Sequence, residues 1–138
     1  LYSIGIGLKK SKTNKILVIY GDLVFNEYCI NLPFNKESSI VISNTMKDDE
    51  VGCIFNNNSL ENMFYKLQNK WAQIVYFTGY ELDILKNIIK EPQSEYWYGF
   101  EAINEIITRH GKFSIYSPDN ARAVDIDSSY DLKLMDKI

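Results

Sequence analysis

Five apolar residues in succession, Ile16-Leu17-Val18-Ile19-Tyr20, stop abruptly at Gly21-Asp22. Apolar positions on a surface helix recur every three or four residues, so an unbroken short run is a strand with both faces covered. In an open sheet, cover on both faces marks a parallel strand between layers of helices. Similar runs lie at 39–43 and 51–55, and the longest, 71–78, ends at Gly79. Helical spacing then takes over, with Leu82, Leu85 and Ile88/Ile89 in one segment and Phe100, Ile103 and Ile106/Ile107 in the next. Gly111 reads as the C-cap of the second helix. Short strands follow at 113–116 and 123–126. A last helix is capped by Ser128 with Asp131, and Leu132, Met135 and Ile138 share its face. Strands alternating with helices predict an α/β fold: a mostly parallel sheet flanked by helices.

The 138 residues make one domain, 1–138, with no linker, internal repeat or low-complexity tract. Asn56-Asn57-Asn58-Ser59 reads as a single turn. A composition 46% hydrophobic and 24% charged is that of a folded water-soluble domain. The formal net charge of −3 argues against a non-specific nucleic-acid binder, which needs many Lys and Arg to displace counterions. No apolar run approaches the roughly 20 residues of a bilayer span. Cys29 and Cys53 lie in apolar stretches without CxxC spacing and read as buried, reduced thiols of a cytoplasmic protein. The opening Leu1-Tyr2-Ser3 has neither an initiator Met nor a signal peptide's regions, and reads as the interior of a longer gene product.

Open α/β sheets bind ligands beyond the carboxyl ends of their strands. Asp22 stands at such an end, where Gly21 permits a turn or a close backbone approach and a carboxylate is free to hold a cation; Gly-Asp is equally ordinary turn chemistry. The second acidic stretch is Val124-Asp125-Ile126-Asp127-Ser128-Ser129-Tyr130-Asp131-Leu132. Strand alternation puts Asp125 and Asp127 on one side and Ile126 toward the core. These carboxylates also suit a helix N-terminus. Two strand-end carboxylate sites in one sheet fit Mg²⁺, which takes one or two carboxylates plus phosphate oxygens and waters.

Glu101 and Asn104 are one helical turn apart, near the aromatic pair Tyr96 and Trp97. A carboxylate among aromatic rings suits a quaternary ammonium group, and an amphipathic helix with an ordinary polar face has the same pattern. The single histidine, His110, precedes Gly111 at a helix end and has no Cys or second His near it for a zinc site. No serine sits in a G-x-S-x-G context, so a hydrolase elbow has no support.

In order along the chain, the opening Leu-Tyr-Ser, the run 16–25 with Gly21-Asp22, the stretch 97–104 and the closing 124–132 resemble the nucleotidyltransferase superfamily. Its members include sugar-1-phosphate nucleotidyltransferases and the cholinephosphate cytidylyltransferases of bacterial surface glycans. The short cholinephosphate or aminoethylphosphonate type is the most similar. The resemblance implies a Rossmann-like, GT-A-like fold and transfer of a nucleoside monophosphate from a nucleoside triphosphate, CTP favoured, to a small phosphorylated acceptor. Such an acceptor is phosphocholine, aminoethylphosphonate or a sugar 1-phosphate, and pyrophosphate is released. It further implies Mg²⁺ as cofactor, a cytoplasmic place and a part in making cell-surface polysaccharide. By the same resemblance Asp22 and Asp127 are the catalytic metal-binding acids, with Asp125 a further candidate. Lys70 falls where many members carry a phosphate-contacting lysine, and Tyr96, Trp97, Glu101 and Asn104 fall beside the acceptor pocket.

The superfamily's N-terminal signature, a Gly-rich loop with Arg and a downstream Pro-Lys, has no counterpart here, since Gly5-Ile6-Gly7 follows no strand and reads as a helix end. The chain therefore resembles the C-terminal part of such an enzyme and is expected to be inactive alone. Two other readings share the fold: a nucleotide-sugar glycosyltransferase, whose D-x-D motif should lie mid-chain rather than at 125–127, and a non-catalytic interaction domain. A truncated sheet with an apolar edge also favours pairing with a second copy.

Overall fold

The computed structural model describes residues 1–32, 37–43, 47–133 and 138. Helix α1 (Tyr2–Lys10) leads into strand β1 (Lys15–Ile19) and the short β2 (Leu23–Phe25). Strands β3 (Ser39–Ile42), β4 (Val51–Asn56), β5 (Ser59–Tyr65) and β6 (Asn69–Thr78) follow. Helices α2 (Gly79–Ile88) and α3 (Gly99–Thr108) precede β7 (Ser114–Tyr116) and β8 (Ala123–Asp125). The main sheet runs β1-β6-β3-β7-β5-β4, and β4 also pairs with the first residues of β6, so five of the strands close on themselves. A separate ribbon joins β2 to β8.

The domain is α/β, as its pattern predicts, but the sheet is mixed rather than mostly parallel. Among the described residues the only parallel pairing is β3 with β7. The loops explain why, because a parallel crossover needs about a dozen residues or more. Asn57 and Asn58 alone join β4 to β5, with φ of 46° and 64°, the left-handed pair that a two-residue hairpin requires. Residues 66–68 alone join β5 to β6. The run at 16–20 misleads for a related reason: β1 is an edge strand, antiparallel to β6, and still has both faces packed. Ile16, Val18 and Tyr20 lie against the larger core and Leu17 against the smaller.

Those two cores sandwich the sheet. On one face α2 and α3 deliver Leu82, Leu85, Ile88, Ile103 and Ile106, all buried, onto Ile40, Ile42, Trp71, Val75, Phe77 and Phe113. On the other, Leu23, Cys29, Leu32, Val41, Ile74, Ala121 and Ala123 form the smaller cluster. Both cysteines are buried and free, as their apolar surroundings suggest. Burial pushes the Cys53 thiol up to about 12, which keeps it an inert core group.

The helix ends carry two corrections. Gly5-Ile6-Gly7 lies inside α1 rather than at its end. At the close of α3 the left-handed residue is His110 (φ 68°), and Gly111 follows with its N–H on Ile106 O at 2.8 Å. Gly111 is glycine because a Cβ would run into the Ile106 side chain and carbonyl. At the C-terminus, residues 131–133 form a single 3₁₀ turn, and Met135 of the expected last helix lies outside the described residues. Strands β2 and β5 escape the sequence reading, β2 for its length of three residues and β5 for its polar Glu61 and Asn62.

Replacing the fully buried Leu85 by Ala should lower unfolding stability by about 2–5 kcal/mol in urea titration. Tyr96→Ala, at a residue 85% exposed, should change it by about 0.5 kcal/mol or less. Equal effects would mean that the core is not where the packing puts it.

Candidate active site

Asp22 and Asp125 are 103 positions apart and are brought together by six residues of ribbon. Tyr20 accepts from the Leu23 N–H at 3.4 Å, closing a turn that carries Gly21 and Asp22 off the end of β1. Strand β2 then pairs with β8 in the register Leu23↔Asp125, and the Ile126 N–H donates to Asp22 O at 3.0 Å. One carboxylate oxygen each of Asp22, Asp125 and Asp127 lies within 4.8 Å of the other two. Sequence alternation places Asp125 and Asp127 on one side, and that is where the structure has them.

The three carboxylates differ in setting. Asp22 and Asp127 are exposed, whereas Asp125 is 8% exposed and its Oδ1 has no hydrogen-bond partner. Burial raises the Asp125 pKa; the Gln73 side chain, hydrogen-bonded to its carboxylate, opposes the rise, and the charges of Asp22 and Asp127 add to it. A buried carboxylate oxygen facing two more carboxylates is an arrangement whose charge a bound cation would offset. An all-oxygen donor set suits a hard ion such as Mg²⁺.

The acids stand at one side of a cavity of about 320 Å³ whose wall is aromatic. Tyr20, Tyr65, Trp71, Tyr98 and Phe100 line it, with Glu50, Val51, Gln73 and Gly99. Tyr20 meets Trp71 edge-on at 5.6 Å, Tyr65 meets Phe100 edge-on at 5.3 Å, and Tyr98 stacks beside Phe100 at 6.1 Å. Gly99 makes this approach possible: a Cβ there would overlap the Tyr20 hydroxyl oxygen. Gln73 reaches the site through a bulge. Between the pairs Ile40/Val75 and Ile42/Trp71, β6 has four steps to two in β3, and Gln73 takes φ 56°.

Lys47 closes the acidic side. Its ammonium is 2.7 Å from Asp127 Oδ2 and 3.6 Å from both Asp131 Oδ2 and Glu50 Oε1. Burial pulls its pKa down, but the hydrogen bond and charge of Asp127, with Asp131 and Glu50, hold it above the ordinary lysine value. Asp131 is itself fixed: its Oδ2 accepts from the Asp127 and Ser128 amides and the Ser128 hydroxyl at 2.9–3.1 Å, the capping contact expected from sequence.

Of the residues that the sequence nominates for substrate binding, the structure directs several elsewhere. Lys70 is 7% exposed and donates to Asp48 O at 2.6 Å, tying down the turn that carries Lys47 and Glu50. Asn104 brackets the Met63 backbone, accepting from its N–H and donating to its C=O, both at 2.9 Å. Glu101 accepts from the Tyr98 N–H at 2.7 Å, capping its own helix. Trp97 packs against the larger core and Tyr96 points into solvent. Neither lines the cavity; the nearby aromatic residues Tyr98 and Phe100 do. The signals for the missed residues were thin: Tyr20 immediately before Gly-Asp, and Gln73 as the one polar residue inside the apolar stretch 71–77.

No protein-family model matches the chain, and no curated protein matches it in sequence. Solved structures do. The inositol-1-phosphate CTP transferase from T. maritima superposes with a TM-score of 0.76 at 14% identity, covering 99% of this chain and 60% of that one. The fold is that of the nucleotidyltransferases. The CTP:phosphocholine cytidylyltransferase from Streptococcus pneumoniae has a TM-score of 0.67 at 11% identity, with 99% of this chain and 60% of that one covered. A nucleoside-diphosphate-sugar pyrophosphorylase from Vibrio cholerae RC9 gives 0.59 at 10%, with 96% and 60% covered. The chain thus spans about 60% of the length of these nucleotidyltransferase structures.

Asn104→Ala should lower stability by about 1–3 kcal/mol in urea titration, because it leaves the Met63 carbonyl without its donor. Divalent-cation binding should be unchanged in that variant; a large change in it would show that Asn104 serves the site directly.

Proposed function

We propose that this chain is the acid-bearing part of a metal-dependent nucleotidyltransferase that joins a nucleoside monophosphate from CTP to a small phosphorylated acceptor. The observation that carries the reading is the convergence of Asp22, Asp125 and Asp127, with an orphaned buried oxygen, beside an aromatic cavity in a nucleotidyltransferase fold. In the reaction an acceptor phosphate oxygen bonds to the α-phosphorus and the bond to the β-phosphate oxygen breaks, releasing pyrophosphate. Mg²⁺ held by the three aspartates would neutralise charge on the phosphates. The chain's own residues do the positioning. Gln73 orients Asp125, Gly99 lets the Tyr20 and Trp71 rings approach α3, and the aromatic wall excludes water.

The lining also favours one kind of acceptor. A sugar needs many hydrogen-bonding groups, whereas Tyr65, Tyr98 and Phe100 beside Glu50 offer ring faces and a carboxylate. That is the setting for an ammonium head, so phosphocholine or aminoethylphosphonate is preferred over a sugar 1-phosphate. Such acceptors and CTP place the reaction in the cytoplasm, in the supply of activated groups for surface polysaccharide. Among the described residues no helix is long and apolar enough to cross a membrane.

The rest of the site lies beyond this chain's 60% share of the fold. A groove of about 540 Å³ runs from Leu1 and Ile4 of the α1 region over Val18, Ile19 and Tyr20 to Asp22, along the edge of β1 opposite β6. Triphosphate-binding elements docked there would meet Asp22. The gene product extended through that region should release pyrophosphate from CTP with Mg²⁺ and phosphocholine or aminoethylphosphonate. Asp22→Asn or Asp125→Asn should cut kcat at least about 100-fold, and the 138-residue chain alone should be inactive. Full activity in either variant, or in the chain alone, would refute the assignment.

A further inference from the structure

The charged residues lining the cavity are Asp22, Glu50, Asp125 and Asp127, all acidic, although both proposed reactants are anions. The one cation seated among them in the described residues is Lys47, and it stands on Asp127, a member of the converging triad. Asp127 is therefore claimed twice. A divalent ion drawing its carboxylate toward Asp22 and Asp125 competes directly with the ammonium at 2.7 Å.

The surroundings permit an exchange of partners. Lys47 has a second seat, Asp131, whose Oδ2 is held by three hydrogen bonds of its own and does not depend on the lysine. Its backbone is fixed, since Lys47 O accepts from the Glu50 N–H at 3.2 Å and the next residue, Asp48, is pinned by Lys70. The four-carbon stem is the flexible part, so the ammonium can move while the turn stays in place. Asp125, by contrast, is buried, and Asp131 is locked by its own hydrogen bonds.

We propose that Lys47 is the internal counter-cation of the carboxylate cluster: it holds Asp127 when no metal is bound, yields it to a divalent cation, and then meets a substrate phosphate. The inference rests on the reading that the triad takes a metal. In this scheme Lys47 is a positioning residue toward the cluster and a binding residue toward the phosphate. It supplies the positive charge that the cavity lining lacks.

Mn²⁺ binding without nucleotide, followed by electron paramagnetic resonance of the free ion, separates the two ideas. Lys47→Met should tighten Mn²⁺ about tenfold because a competing charge is gone, and Lys47→Arg should stay within about twofold of the parent. With Mn²⁺ saturating, CTP should bind about tenfold more weakly to Lys47→Met. A folded Lys47→Met protein whose Mn²⁺ affinity is unchanged or weaker overturns the proposal. If the parent binds no Mn²⁺, or Asp22→Asn binds it equally well, the metal reading itself fails and Lys47 with it. Should Lys47→Met not fold, the unmodified protein decides: the Lys47 Nζ nitrogen resonance should shift with Mg²⁺ and saturate along the binding curve. A resonance that Mg²⁺ does not move overturns the proposal.

Discussion

The pairing of two three-residue strands, β2 and β8, is the contact on which the candidate site depends. It sets Asp22 against residues 125–127 and holds three carboxylates within 4.8 Å of one another. Repulsion among like charges works against that contact, and burial of Asp125 makes it worse. What offsets it is local and specific. Leu23 and Ala123 bury their side chains in the smaller core, the Ile126 amide closes onto Asp22, the Gln73 amide lies beside Asp125 in the cavity wall and favours its charged form, and Lys47 neutralises Asp127. The acidic cluster is thus held from below by apolar packing and from the side by one amide and one ammonium.

Strand β6 links this cluster to the rest of the cavity. Its first residues pair with β4 and its last five with β1, and the bulge at Gln73 separates the two stretches. Trp71 spans the irregularity, donating its indole N–H to Ile74 O at 3.1 Å, and presents its ring to Tyr20. A regular strand would keep pairing past Ile74. The bulged one turns Gln73 and Trp71 to the cavity, so the departure from regularity is where the strand contributes to the site.

Among the described residues, β1 is paired on one side only, with β6. An edge strand that is apolar along its length is ordinarily a hazard. Here the groove beside it ends at Asp22, and about 40% of the length of the similar solved structures lies outside the part that this chain covers, from the 60% covered. That the acids, the aromatic wall and the free edge converge at one end of the sheet agrees with the rule that α/β sheets gather ligands there.

How much of this was legible in the sequence differs from residue to residue. Asp22, Asp125 and Asp127 could be nominated because strand ends and alternation are local properties, readable from a run and its stop. The helices at 79–88 and 99–108 could be read for the same reason, from apolar spacing. Parallel against antiparallel pairing could not, because an apolar run records only that two faces are covered and not which neighbour covers them. Nor could the sequence tell whether Lys70, Glu101 and Asn104 face a ligand or the fold's own backbone: a polar side chain looks the same in either place, and only the approach of Asp48, Tyr98 and Met63 assigns them. Local chemistry alone thus determined most of the elements and nominated the acids. The meeting of Asp22 with Asp125, the aromatic wall and the seat of Lys47 were decided by tertiary structure, because each requires residues distant in the chain to arrive within a few ångströms.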